Sequence, residues 1–323
     1  MKNPVRIVCH TLRWDAVVLQ QLSTVKDVTA EAAATPEEFA EAVRSADGVV
    51  VSGFAYNERV AQALRQNGRN VRWIQFCSSG IDAFQRHGGP ADVTVCNAAS
   101  AWGQGVAEHA LAMLLSLSRG MIHLERARLR KEWNQGKIVA QVTGLEGQAA
   151  VIIGCGEIGK SIALRLQAFG MRTIGINRSG APVSGMDQTL PVSELNRALG
   201  LADVVFVCIP LTADTTALIG GREFEAMARK PIFINVARGA VVDQNALEKA
   251  LENGLLRAAG LDVFVQEPLQ AGSRLWELEN VILSPHISGQ GDPNVLKRIA
   301  ALCAENAARL ARGAPLLSQV SAG

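Results

Sequence analysis

Apolar residues in this chain occur either in short unbroken runs or at every third or fourth position. Ala149 to Ile153 is a run of small and β-branched residues with no polar interruption, the pattern of a strand buried on both faces of a parallel sheet. Further runs lie at 171–176, 203–209, 231–236, 256–262 and 280–284, and helical periodicity begins near residues 157, 191, 221 and 243. Earlier in the chain, 5–9, 48–52, 71–76 and 93–96 read as strands. A helix over 36–45 has a start signal in Thr35 as cap, Pro36 in the first turn and Glu38 completing a capping box. A long amphipathic helix is expected over 102–118, and another, rich in Ala and Leu, over 291–312. This alternation predicts two α/β domains, each a doubly wound parallel sheet, the first ending near residue 98.

The strand at 149–153 is followed by Gly154, Gly156 and Gly159 at G-x-G-x-x-G spacing. The first glycine allows the tight turn, the second lets a pyrophosphate approach the backbone, and the third lets the new helix pack close to the sheet. Glu157 and Ile158 stand at the helix N-terminus, where free N–H groups and the dipole favour an anion. Ile162, Leu164, Leu166 and Phe169 are expected to give that helix its apolar face, and Gly170 to end it. Glycines at this spacing often mark only a turn; the strand before and the helix after them make this a dinucleotide motif. The next strand ends in Asn177, Arg178 and Ser179, where NAD sites carry an acid. Arg matches a 2′-phosphate that an acid would repel, so NADP(H) is the preferred cofactor, with NAD(H) possible. The competing reading is a solvated Arg in a surface turn.

At 323 residues the chain has room for two domains, and with 48% hydrophobic and 19% charged residues it is globular. A net charge of +2 leaves no footprint for nucleic acid or an anionic membrane surface. No apolar run is long enough to cross a bilayer, and the N-terminus reads as a first strand rather than a signal peptide. The 6 cysteines contain no CxxC pair and read as core residues of a cytoplasmic protein. No His/Cys/carboxylate cluster has metal-ligand spacing.

Ser78, Ser79 and Gly80 lie in a small-residue loop after the 71–76 strand, where open α/β sheets bind ligands. Backbone N–H groups there can hold a substrate carboxylate, and an ordinary turn would use the same residues. Glu108 and His109, early in the 102–118 helix, are given no catalytic role. The basic segment 126–137 reads as a solvated helix face whose apolar residues, Trp133 among them, pack on a partner subunit. Three polar residues, Arg238, Glu267 and His286, fall near strand ends of the dinucleotide domain.

Asn235-Val236-Ala237-Arg238-Gly239, Gly260-Leu261-Asp262-Val263-Phe264 with Glu267-Pro268, and Ser284-Pro285-His286-Ile287-Ser288-Gly289 resemble, in order and spacing, the consecutive motifs of the D-isomer-specific 2-hydroxyacid dehydrogenases. Val106-Ala107-Glu108-His109, the glycine motif and Pro210-Leu211-Thr212 extend the resemblance over nearly the whole chain. It implies that 1–98 plus 290–323 form a flavodoxin-like substrate domain and 99–289 a Rossmann dinucleotide-binding domain. It also implies a homodimer that transfers hydride between nicotinamide and a small 2-keto or D-2-hydroxy acid. In that scheme Arg238 holds the substrate carboxylate and carbonyl, His286 is the acid/base, and Glu267 orients and charges it. The chemistry wants these types: negative charge gathers on the carbonyl oxygen as hydride arrives, and an imidazole beside a carboxylate keeps a proton ready for it. Ser78, Ser79 and Gly80 join the substrate contacts. Cys208, Ile209, Pro210, Thr215, Val236, Ala237, Asp262 and Gly289 join the cofactor contacts, Asp262 at the nicotinamide carboxamide.

Two positions depart from the family pattern. Glu157 stands where many members place Arg against the pyrophosphate, so its charge must point away. Asn177-Arg178 replaces the NAD-type acid and resembles the glyoxylate and hydroxypyruvate reductase branch. Glu267 argues against the formate dehydrogenase-like branch, which pairs its histidine with Gln. An alternative of another class is a dinucleotide-sensing interaction protein like the corepressors that share this fold.

Overall fold

The computed structural model describes residues 3–320. They form two compact units, one made of the described residues up to Trp102 and those from Asp292 on, the other of Gly103–Gly291.

The first unit holds β1 (Val5–His10), β2 (Val28–Ala32), β3 (Gly48–Val51), β4 (Trp73–Phe76) and β5 (Thr94–Cys96) in the order β2-β1-β3-β4-β5, every pairing parallel. This is the flavodoxin-like order, with its reversal between β1 and β3. Val49 and Val51 enter one core with Phe39, Ile74 and Phe76, whereas Val50 enters a second with Ile7, Cys9 and Trp73. That two-residue alternation is what a strand covered on both faces requires. Ile299, Cys303 and Ala307 of the helix Val295–Arg312 complete the second core. The same helix buries Asn306, which donates to Gln75 Oε1 at 2.8 Å and so fastens it to β4.

Two expectations need correction here. The sequence reading has no strand at β2, because this edge strand has no fully buried position and so offers no apolar run to read. The 36–45 helix is α-helical only over Pro36–Ala42 and tightens to a 3₁₀ turn at Val43–Ser45. Thr35 Oγ1 accepts the Glu38 N–H at 3.2 Å, while the Glu38 carboxylate takes the Ala34 N–H at 2.8 Å, one residue before the cap.

The second unit is a seven-stranded parallel sheet of β6 (Ala149–Ile153), β7 (Arg172–Asn177), β8 (Gln188–Pro191), β9 (Val204–Val207), β10 (Ile232–Asn235), β11 (Ala258–Leu261) and β12 (Val281–Leu283). Its order is β12-β11-β10-β9-β6-β7-β8, a Rossmann sheet with one strand added beyond β11. The edge strand β8, half-exposed, is again the one without a legible run. The helix Glu157–Gln167 buries Gly159, Ile162, Ala163 and Leu166. Leu164, 64% exposed, and Phe169, 38% exposed, face outward, contrary to expectation, because Leu164 lies on the helix face opposite that buried stripe and Phe169 lies beyond the helix end. No helix among the described residues is long and apolar enough to cross a membrane.

Candidate active site

The candidate residues of the second unit line up along the C-terminal ends of its strands: the glycine loop after β6, Asn177–Ser179 at β7, Cys208–Thr215 after β9, Val236–Arg238 after β10, Asp262 after β11, and His286 and Gly289 after β12. The sheet order reverses between β6 and β9, which is where such sheets open a ligand crevice. From β7 to β12 there are five strand spacings, roughly 24 Å at about 4.8 Å each.

The three glycines divide their tasks as the motif demands. Gly154 has φ +105°, and a Cβ on it would stand 2.6 Å from the Cys208 carbonyl oxygen. A Cβ on Gly159 would collide with the Gly154 carbonyl. At Gly156 a Cβ would meet nothing within 4 Å, so the backbone at the helix N-terminus faces open space, as a pyrophosphate seat requires. Glu157 turns along its helix to Lys160, 3.4 Å away, and Ile158 is half-buried beside it. The Cys208 thiol bonds the Gly154 carbonyl at 3.2 Å, which braces the loop from β9. Ile209 is half-buried, and Pro210 receives the Thr215 hydroxyl on its carbonyl at 2.8 Å.

At the end of β7 the Asn177 side chain is occupied by its own loop. Its Oδ1 accepts the N–H groups of Ser179 and Gly180 at 3.1 and 2.6 Å, and its Nδ2 donates to Ala181. Arg178 and Ser179 stand exposed on the turn so formed, and no acid occupies the ribose position.

β10 delivers Arg238 through a similar device. Buried Asn235 accepts the Ala237 N–H at 3.0 Å and donates to the Arg238 carbonyl, so the turn Val236–Arg238 is fixed from within. Gly239 follows because any Cβ there would overlap the Phe264 backbone. The Arg238 guanidinium is half-buried, with Nη1 donating to the Ala237 carbonyl at 2.7 Å.

Glu267 and His286 meet directly: Glu267 Oε2 lies 2.7 Å from His286 Nδ1, and Oε1 accepts the Phe264 N–H at 3.0 Å. The carboxylate is thereby held on both oxygens, and the imidazole is oriented through Nδ1, which leaves Nε2 to exchange a proton with a ligand. His286 has φ +54°, a left-handed conformation that side-chain-bearing residues adopt at a cost. Asp262 holds it there. That fully buried carboxylate accepts Ser284 Oγ–H at 2.6 Å and the N–H groups of Ile287 and Ser288 at 2.9 and 3.0 Å. Its carbonyl takes the His286 N–H, and Gly289 lies in the turn just beyond.

Sequence reasoning missed one member of this cluster. His109 Nε2 is 2.9 Å from Ser284 Oγ, although the helix Ala99–Ser118 that carries it is far away in the chain. Only the pairing of a histidine with a serine that the fold brings together reveals it. Glu108 instead pairs with Arg165 at 3.3 Å. Phe264, Pro268, Leu269, Trp276 and Leu283 line an apolar cavity of about 530 Å³ that the Glu267–His286 pair borders.

In the first unit, Ser78–Gly80 follows β4. The Ser78 carbonyl accepts the Ala98 N–H, the Ser79 carbonyl the Asn97 side chain, and the Gly80 carbonyl the Ser78 hydroxyl. With those carbonyls engaged, what the loop presents to a ligand is its amides.

Residues 111–288 match the family described as D-isomer specific 2-hydroxyacid dehydrogenase, NAD binding domain. A glyoxylate reductase from Thermococcus litoralis is 31% identical over 279 residues, which cover 84% of this chain and 83% of that protein. The solved structure of a D-isomer specific 2-hydroxyacid dehydrogenase family protein from Aeromonas salmonicida is 26% identical, covers 100% of both chains and has a TM-score of 0.81. An NADPH-dependent glyoxylate/hydroxypyruvate reductase from Sinorhizobium meliloti, solved with NADP and sulfate, shares the fold at 22% identity, 98% coverage of both chains and TM-score 0.83. With its motifs set along one sheet edge and its relatives matched over most of their length, this chain belongs to the D-isomer specific 2-hydroxyacid dehydrogenase family and is an NAD(P)-dependent oxidoreductase.

Proposed function

We propose that this enzyme is an NADPH-preferring reductase of small 2-keto acids, glyoxylate or hydroxypyruvate, working as a homodimer in the cytoplasm. The observation that carries the chemistry is the 2.7 Å contact of Glu267 with His286, held in place by Asp262. Bound dinucleotide supplies the hydride. His286 Nε2 gives the proton that the carbonyl oxygen takes up, and Glu267 stabilises the charged imidazole before the transfer. Arg238 binds the carboxylate and polarises the carbonyl, since its planar fork matches both oxygens. Within the first unit, the amides of Ser79 and Gly80 are a seat for a carboxylate.

Asp262 takes a different part from the carboxamide contact implied by family resemblance: with its oxygens committed to Ser284, Ile287 and Ser288, it positions the histidine loop. Asn177 and Thr215 likewise shape loops that face the cofactor rather than spending their side chains on it. Gly154, Gly156, Glu157, Ile158 and Gly159 frame the pyrophosphate through their backbone, and Cys208–Pro210 with Val236 and Ala237 line the path to the nicotinamide.

The NADPH preference is supported by exposed Arg178 on a turn without an acid, and by the S. meliloti neighbour's NADPH dependence. The relatives named glyoxylate reductase support the substrate. The dimer is supported by Met121, Leu124, Leu129, Trp133 and Val139, apolar residues exposed over one short stretch, Trp133 by 98%. Six free cysteines favour a reducing compartment. The deciding experiment is the initial rate with glyoxylate and with hydroxypyruvate, each with NADPH and with NADH. Faster turnover with NADPH supports the reading; faster turnover with NADH overturns the cofactor preference, and no turnover overturns the substrate.

A further inference from the structure

The motifs of the reaction stand at the C-terminal edge of the second unit's sheet. At the opposite edge, where β9, β10, β11 and β12 begin, lies a cavity of about 570 Å³ that takes no part in the proposed chemistry. Arg229, Lys230 and Arg257 line it, and Asp203 is the one carboxylate among the described lining residues. Three positive charges against one negative leave a net +2, as much as the whole chain carries. The rest of the chain is therefore balanced, and the excess charge belongs to this cavity rather than to a broad basic surface.

The lining is held by its own members. Asp203 accepts the Ala149 N–H at 2.9 Å on the same oxygen that meets Arg229 Nη1 at 3.2 Å, which ties that guanidinium to the start of β6. Arg257 gives one N–H to the Gln141 carbonyl at 2.9 Å, and its own carbonyl takes the Asn280 amide at 3.2 Å. Lys230 sits at φ +52°, a left-handed conformation that costs a residue with a Cβ and that glycine adopts freely. Among the described residues, neither Lys230 nor Arg257 has a carboxylate within ion-pair distance, although a strained turn and an anchored guanidinium bring both to one cavity. Like charges gathered in a hollow repel one another, and a bound anion offsets that repulsion.

We propose that this cavity binds a small metabolite carrying two or more negative charges on phosphate or carboxylate oxygens, at a site separate from the reaction. Guanidinium groups offer such an oxyanion paired N–H donors, and the Lys230 ammonium adds a point charge. Ile232, Leu251 and Leu256 give its carbon skeleton an apolar wall, and the volume is that of an ordinary small-molecule site. A 2-keto acid with a single carboxylate would leave half of the cavity's net charge uncompensated, so the site favours a ligand other than the substrate.

The test is calorimetric titration of the enzyme with inorganic pyrophosphate and with citrate at fixed ionic strength, NADP⁺ being present at saturation so that the glycine loop is occupied. Saturable binding of at least one probe is expected, and the tighter of the two tells phosphate from carboxylate chemistry. Lys230→Gly removes a charge and suits the positive φ, so the fold is kept, and Arg257→Gln removes a second charge. Each is expected to weaken binding roughly tenfold or more, the loss of one charge-assisted contact. Arg172→Gln, at an exposed residue that opens β7 outside the cavity, is expected to leave binding unchanged. Absence of saturable binding by both probes overturns the inference. So does binding seen only without NADP⁺, which would put the anion on the glycine loop, and so does binding that Arg172→Gln weakens as much as Lys230→Gly, which would mark a general attraction to positive charge.

Discussion

His109 Nε2 stands 2.9 Å from Ser284 Oγ, and Ser284 in turn donates its hydroxyl hydrogen to Asp262. One hydroxyl cannot give its hydrogen twice, so His109 is the donor and its proton sits on Nε2. The chain therefore runs from a surface-accessible imidazole, through a serine, to the buried carboxylate that shapes the His286 loop. In His109→Leu the Ser284–Asp262 bond survives and one hydrogen bond is lost. The expected effect is about 1 kcal/mol of stability, a fall in Tm of about 3 °C, and a loss of kcat smaller than tenfold. Turnover abolished at unchanged Tm would show that His109 takes part in the chemistry instead of bracing it.

Glu267→Gln preserves size but not charge. To keep the Phe264 N–H bonded, the amide must turn its oxygen there and offer its NH₂ to His286 Nδ1, a donor facing the nitrogen that must also carry hydrogen in the charged ring. The charged imidazole is then disfavoured twice over. Reduction is expected to slow roughly a hundredfold, chiefly in kcat. An unchanged kcat in Glu267→Gln would separate the two residues functionally.

Arg178→Ala removes the fork proposed for the 2′-phosphate. The kcat/KM for NADPH is expected to fall by roughly 10- to 100-fold while that for NADH changes little, since the hydride and the substrate site are the same for both. Equal losses with both cofactors would mean that Arg178 supports the loop and not the phosphate.

Cys155 lies between two glycines of the dinucleotide loop and is only half-buried, yet burial pushes its thiol up to about 11, outweighing the pull of Lys160. At neutral pH it is a thiol and a poor nucleophile. Alkylation by iodoacetamide, followed by peptide mass spectrometry, is expected to be slow at pH 7, to rise about tenfold per pH unit above it, and to be suppressed by bound NADP⁺. Rapid labelling at pH 7 that NADP⁺ does not affect would place this residue away from the cofactor.

The parts of the structure that could be read from the chain are those where one residue type answers one local demand. Gly154 at positive φ and Gly159 against a carbonyl are such cases, and so are strands buried on both faces, such as β6 and β10. The edge strands β2 and β8 escaped because they are exposed or half-exposed along most of their length and so carry no apolar run, whereas the other edge strands, β5 and β12, are more buried and carry one. The outward turn of Leu164 escaped because it lies two residues, about 200° round the helix, from Ile162 in the buried stripe Gly159, Ile162, Ala163 and Leu166, and that of Phe169 because it lies past the helix end at Gln167. At the site, Glu267 and His286 were legible as types in order, but their hydrogen bond and the Asp262 hub depend on loops folding back on β11 and β12. The His109–Ser284 contact was illegible for the same reason: it is made by tertiary neighbours with no short spacing between them.

The helix Val295–Arg312 completes the core that Val5, Ile7 and Val50 begin. On the ribosome this imposes a schedule. The residues of the first sheet emerge early, but one face has only the helix Asp15–Leu22 to cover it until the whole of Gly103–Gly291 has been made and the last helix follows it. The second unit carries its own core in one continuous stretch and needs no such wait, and the first unit's half-covered face is the interval in which a chaperone has something to hold.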